Sequence, residues 1–172
     1  MSDLVKRRYY PYPAEVVWAA LTDREALAQW LMPNNFEPEV GREFEFRVDP
    51  MMGMSGIVKC RVLELRAFSL MVWSGGIERG GGKPALATTI RFDLAEYEGG
   101  TLLTLTQANA SELPLFFRLS MAFGWGTMLK RWLPRVIGNV SRTPEGLRYT
   151  RLNPAPNRGH HRTRTVPEGF AK

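Results

Sequence analysis

Between Tyr12 and Pro33 the chain packs two short helices end to end, directly behind one strand and ahead of an unbroken run of strands. Few architectures place such a pair there. Pro13 suits the first turn of a helix, where a missing N–H costs nothing, and Val17 and Leu21 then share a face at i, i+4. Thr22-Asp23-Arg24-Glu25 has capping-box spacing, so a second helix starts where the first stops. Its apolar face is Ala26, Leu27, Trp30 and Leu31, and Pro33 ends it. A helix pair in this position closes the mouth of a curved sheet.

The flanking segments predict that sheet. Val5–Tyr10 reads as a first strand, alternating around Val5, Arg7 and Tyr9. Glu43–Asp49 alternates with period two, predicting Phe44, Phe46 and Val48 on one buried face. Ser55–Leu65 sets Lys59 and Arg61 against Val58, Cys60 and Val62, and Leu70–Trp73 is apolar on both faces. Ile90, Phe92 and Leu94 alternate with Arg91, Asp93 and Ala95. Glu98-Gly99-Gly100 then makes a tight turn into Leu103–Gln107. From Phe116 to Val140 the apolar positions Ala122, Gly126, Leu129, Leu133, Val136 and Val140 recur at helical steps, with Pro134 predicting a kink or early end. Strand, two helices, five strands and one long helix make an α+β chain: a curved antiparallel sheet of about six strands wrapped around a C-terminal helix.

Charge divides the chain unevenly. Residues 1–140 hold sixteen Lys and Arg against fifteen acids, and residues 141–172 hold seven against two, so the net +6 belongs mostly to the C-terminal stretch. That stretch carries Pro144, Pro154, Pro156 and Pro167 and little apolar material, which predicts a domain over 1–140 and a basic, disordered tail over 141–172. The single cysteine, Cys60, rules out an internal disulfide and a cysteine-based metal cluster. With no apolar leader after Met1, the expectation is a cytoplasmic protein. No window reaches 18 uncharged apolar residues, so no membrane span is expected. Both histidines, His160 and His161, fall in the tail, which removes a histidine metal site, a Ser-His-Asp triad and a Cys-His pair from the domain.

Taken together, Pro13–Asp23, Trp30 with Pro33, Gly41-Arg42-Glu43-Phe44, Gly56-Ile57-Val58, Thr101–Thr106 and Gly124-Trp125 resemble the START-like (SRPBCC) helix-grip superfamily. Within it they are most similar to the group named after the C-terminal domain of the Hsp90 ATPase activator. The resemblance covers residues 4–140 and implies a cavity between sheet and C-terminal helix that holds hydrophobic or amphipathic small molecules. The group often has two tryptophans where this chain has Trp30-Leu31. Co-chaperone activity also needs a separate Hsp90-binding domain, for which 172 residues leave no room, so Hsp90 is not an expected partner.

Candidate ligand contacts follow from the inward faces of these elements. Trp30 comes from the second helix, and Phe44, Phe46, Met54, Val58 and Cys60 come from the first long strands. Trp73, Phe92 and Gln107 come from the later strands, with Phe123 and Trp125 from the long helix. Gln107 shares a strand face with Leu103 and Leu105, so its amide must find either a ligand's polar end or a backbone partner. Cys60 reads as a buried apolar side chain rather than a reactive thiol. Acids remain as candidate general acids or bases, for example Glu64 on the Cys60 face, against the alternative of a surface or strand-end glutamate. Met51-Met52-Gly53-Met54 either gates an apolar entrance or caps the core. Gly75–Pro84 lacks phosphate-loop spacing, since Ile77 and Pro84 stand where glycine and a hydroxyl are needed, and it reads as a hairpin loop.

The favoured reading is non-enzymatic binding of a hydrophobic or amphipathic molecule, with no cofactor. A cyclase- or hydrolase-type enzyme using the same cavity is the first alternative. An interaction or stress-response protein docking a partner through its basic tail is the second. Nucleic acid is not an expected partner, because no recognition helix or RNA-binding aromatic signature accompanies the tail. An empty apolar void costs about 24 cal/mol per Å³, so a dry pocket of about 300 Å³ would cost about 7 kcal/mol. The interior is therefore expected to be filled by ligand, hydrated near Gln107, or collapsed onto its aromatic side chains.

Overall fold

The computed structural model describes residues 3–49, 54–79 and 83–150. A six-stranded antiparallel sheet runs in the order β1-β6-β5-β4-β3-β2, from β1 (Leu4–Tyr10), β2 (Glu43–Arg47), β3 (Met54–Arg66), β4 (Leu70–Arg79), β5 (Lys83–Tyr97) and β6 (Gly100–Gln107). Strands β2 to β6 form a meander, and β1 returns to lie beside β6, with Leu4 opposite Gln107 and Tyr10 opposite Thr101. Helices α1 (Ala14–Thr22) and α2 (Arg24–Trp30) therefore carry the chain from one edge of the sheet to the other. Register shifts between Met54 and Val58, Val62 and Glu64, and Gly76 and Glu78 bend the long strands.

The helix pair forms where its apolar spacing and its proline direct it, with one change of detail. Asp23, not Thr22, caps α2: its carboxylate accepts from the N–H groups of Glu25 and Ala26. The Thr22 hydroxyl instead donates back to the Trp18 carbonyl at 2.8 Å, closing the last turn of α1. Beside the start of α1, at the end of β1 marked by Tyr10, Glu98 and Gly99 both take positive φ and turn β5 into β6. Gly100 follows because a Cβ there would lie 2.4 Å from the Tyr10 carbonyl oxygen.

Four expectations are corrected. Val48 lies beyond β2 and is 39% exposed, although its N–H still donates to the Gly56 carbonyl at 2.8 Å. Glu64 follows the bulge at Leu63, so its side chain turns to solvent and pairs with Arg66 at 2.6 Å. Most of Gly75–Pro84 is strand rather than loop, divided between β4 and β5. Val140 opens a strand, β7 (Val140–Thr143), which pairs with β8 (Gly146–Tyr149) where the sequence suggests only tail. That hairpin packs beside α1, while the expected disorder of residues 151–172 lies outside the described residues, as do Met51 and Met52.

The long C-terminal helical run spans Leu115 to Ile137 in three parts: α3 (Leu115–Thr127), a π-turn (Met128–Trp132) and α4 (Leu133–Ile137). Pro134 explains the interruption. In the π register the Leu133 N–H reaches back five residues to the Met128 carbonyl, so the Leu129 carbonyl would face residue 134. Proline has no N–H to offer. The Tyr10 hydroxyl donates to that carbonyl instead, at 2.6 Å, tying β1 to the helix. Tyr10→Phe leaves a buried carbonyl unpaired and is expected to cost about 1–3 kcal/mol in urea unfolding. In a Pro134→Ala background, which restores an N–H, the cost should shrink; an unchanged penalty refutes the substitution of hydroxyl for amide.

Candidate functional site

Period-two alternation on β2 and β5 sends aromatic rings into the space between the sheet and the helices, where they meet Trp73 of β4, a strand buried on both faces from Leu70 to Trp73. Trp73 lies edge-on or tilted to four rings: Phe36 at 5.9 Å between centres, Phe44 at 5.5 Å, Phe46 at 5.7 Å and Phe92 at 5.1 Å. Phe92 in turn meets Trp30 at 6.4 Å and Trp125 at 6.1 Å. All of these side chains are buried. The positive ring edges point at negative faces, which adds attraction beyond the buried area. The Trp30 indole N–H donates to the Ala20 carbonyl at 3.0 Å, locking α2 to α1.

Most of the candidates named from sequence thus converge on one interior. Trp30, Phe44, Phe46, Trp73, Phe92 and Trp125 form its connected rings, Cys60 is buried there, and Val58 packs against it half-buried. Phe123 does not join them. It is 78% exposed on the outer side of α3, because the inward positions of that helix are taken by Met121 and Trp125. Met54 starts β3, and its side chain lies outside the described residues. Phe36 is the contact the sequence does not reveal: it sits between Pro33 and Gly41, where no period marks a buried face, yet it meets Phe44 at 5.0 Å and is 1% exposed.

The polar centre of this interior is Gln107, fully buried at the end of β6. Its Oε1 accepts the Trp125 indole N–H at 2.9 Å. Because indole can only donate, that contact fixes which way the amide points. The Nε2 donor is left facing the Met121 thioether at 3.8 Å, a weak acceptor. Beside Gln107, the half-buried side chains Leu4, Lys6 and Arg8 alternate with the exposed Val5, Arg7 and Tyr9 along β1. The Arg8 Nε is buried with no hydrogen-bond partner among the described residues. Donors without matched acceptors thus stand toward both ends of the β1–β6 pair, the Gln107 Nε2 opposite Leu4 and the Arg8 Nε opposite Leu103.

Among the described residues the buried titratable groups Cys60 and Tyr10 do not make an acid–base pair. Burial pushes the Cys60 thiol up to about 12 and raises the Tyr10 phenol, so both stay protonated at neutral pH. They stand four strand spacings apart in the sheet, about 19 Å along it. The unfolded thiol titrates near 9.0, so between about pH 9 and about 12 the folded state holds a proton that the unfolded state has lost. Stability is expected to be full below pH 9 and to fall as pH climbs through that window, with Tyr10 acting in the same direction. Cys60→Ala should flatten the alkaline limb of a urea-midpoint profile; an unchanged slope contradicts the assignment.

The Gln107–Trp125 bond is itself testable. Gln107→Leu strands the buried indole N–H and is expected to destabilise by about 1–3 kcal/mol, whereas Gln107→Leu with Trp125→Phe should recover most of the loss. Equal destabilisation by the double variant in urea unfolding excludes this pairing as the cause.

Comparison with known proteins agrees with this architecture. A protein from Mesorhizobium loti shares 23% identity, 78% of this chain, 95% of its own and a TM-score of 0.67. A protein from Chromobacterium violaceum shares 24% identity, 78% and 96% coverage, and a TM-score of 0.60. The Aha1 dimer from Colwellia psychrerythraea is 22% identical over 75% of this chain and 91% of that one, with a TM-score of 0.57. At such identities the likeness is one of fold. No curated protein matches the sequence. The family model described as activator of Hsp90 ATPase homolog 1-like protein matches residues 11–137, and the chain belongs to that family.

Proposed function

We propose that the protein binds a hydrophobic or amphipathic small molecule between the sheet and the C-terminal helical run, without catalysing a reaction on it. The observation that carries this reading is Gln107. A fully buried amide whose N–H groups have only a thioether to reach is costly in a core built purely for packing, by about 1–3 kcal/mol. A ligand carbonyl, ether or carboxylate oxygen placed there satisfies it, and half-buried Lys6, two residues along β1 from the Leu4 that faces Gln107, favours an acceptor or anionic end.

In the state described, the rings pack against one another, so the ligand enters by displacing them. The door is α3. Residues 115–124 contribute no buried side chain, and Trp125 is the one buried residue of the helix. Tilting α3 away breaks one strong bond, from Trp125 to Gln107, and exposes the amide to the incoming molecule. Collapse onto aromatic rings removes the cost that a permanent dry void would carry, and ligand binding repays the lost ring contacts.

Native mass spectrometry of gently purified protein, with thermal shifts against fatty acids, sterols and polycyclic aromatics, tests this. A bound mass is expected, with stabilisation of about 2.7 kcal/mol for a ligand at a hundredfold over its Kd. The Gln107→Leu, Trp125→Phe variant should weaken binding of oxygen-bearing ligands more than of plain hydrocarbons. A ligand-free mass together with no shift from any compound class removes the proposal.

A further inference from the structure

The outer side of α3 has the opposite character to an ordinary surface helix. Leu115, Phe116, Leu119 and Phe123 are 63%, 65%, 62% and 78% exposed. At 3.6 residues per turn they fall within one arc of about 100°, opposite the Met121 and Trp125 side that faces Gln107. Scattered exposed apolar residues need no explanation, whereas a contiguous apolar stripe marks a docking face.

Charge decides what docks. From Leu113 to Pro144 the chain carries Arg118, Lys130, Arg131, Arg135 and Arg142 and not one acid; Glu112 lies just before α3. Arg118, within α3, is half-buried, and Lys130 and Arg131, one turn beyond it, are exposed. A second copy of this chain would bring the same basic groups together across the contact, which is unfavourable. An anionic lipid surface pairs both features: apolar side chains enter the acyl boundary while basic ones meet the headgroups. Among the described residues no helix is long and apolar enough to cross a membrane, so the contact is peripheral.

We propose that the exposed face of α3 docks the protein onto an anionic lipid bilayer, with Leu115, Phe116, Leu119 and Phe123 inserted and Arg118, Lys130 and Arg131 at headgroup level. Neither signal suffices alone, since weak apolar insertion and a basic patch must combine to hold a protein at a membrane. The proposal stands apart from the internal ligand, because the four side chains it inserts all point outward.

Co-sedimentation of the full chain with vesicles of 70% phosphatidylcholine and 30% phosphatidylglycerol tests it, beside pure phosphatidylcholine at the same salt. Binding to the anionic vesicles is expected, at least about tenfold weaker on the neutral ones, with each basic residue contributing about fivefold. Phe116→Ser with Phe123→Ser should lower anionic binding at least about tenfold while leaving the far-ultraviolet spectrum and Tm of the exposed-site variant unchanged. Recovery no greater than in vesicle-free controls overturns the proposal. So does undiminished binding by the double variant, which would assign the contact to the basic C-terminal stretch instead. Self-association in light scattering that disappears with the same two substitutions identifies the face as a contact between copies, and likewise overturns it.

Discussion

Trp73 on β4 and Phe92 on β5, 5.1 Å apart between ring centres, join the two halves of the interior. Through Trp73 the rings of Phe36, Phe44 and Phe46 hold the β2 edge and the irregular segment before it. Through Phe92 the rings of Trp30 and Trp125 hold α2 and α3. The curved sheet, the helix pair across its mouth and the C-terminal run thus share one aromatic seam. Each ring is large and each contact has a preferred geometry, so the seam defines how the layers sit as well as burying area.

That seam ends in polarity. Gln107 is placed by the strand that gives the core Leu103 and Leu105, and its Oε1 is taken by Trp125. The Gln107 Nε2 and, further along β1, the Arg8 Nε leave the β1–β6 edge with donors to spare among the described residues. The same helix turn that covers this edge carries the apolar stripe outward. α3 is consequently held to the rest of the molecule by few contacts, apolar on the side away from it, and next to the polar end of the core. An opening motion and a surface contact would act on the same element.

Much of this could be read from residue order. Alternation placed Phe44, Phe46, Cys60, Val62, Ile90, Phe92 and Leu94 on the inner face, because a period of two maps directly onto the pleat. The helix pair followed from Pro13, the apolar spacing and the capping-box spacing of Thr22 to Glu25, with the cap displaced from Thr22 to Asp23. Leu129, Leu133 and Val136 turned inward as the helical stripe predicted, but the stripe stopped short of Val140. Glu64 left the inner face because a single bulged residue, Leu63, reverses the parity of everything after it on that strand. Phe36 gave no signal because irregular backbone has no period, and Phe123 gave a false one because a helix apolar on several sides does not announce which side is covered.

By itself the sequence determined the types and order of the elements from β1 to α3 and most of the buried face of each strand, since these depend on local periodicity and on proline and glycine geometry. Only the tertiary structure decided which strand edges meet, that Tyr10 completes the helix bond Pro134 cannot make, and that Gln107 is held by Trp125. Those contacts join residues far apart along the chain. Their geometry depends on how the layers stack, which no local pattern encodes.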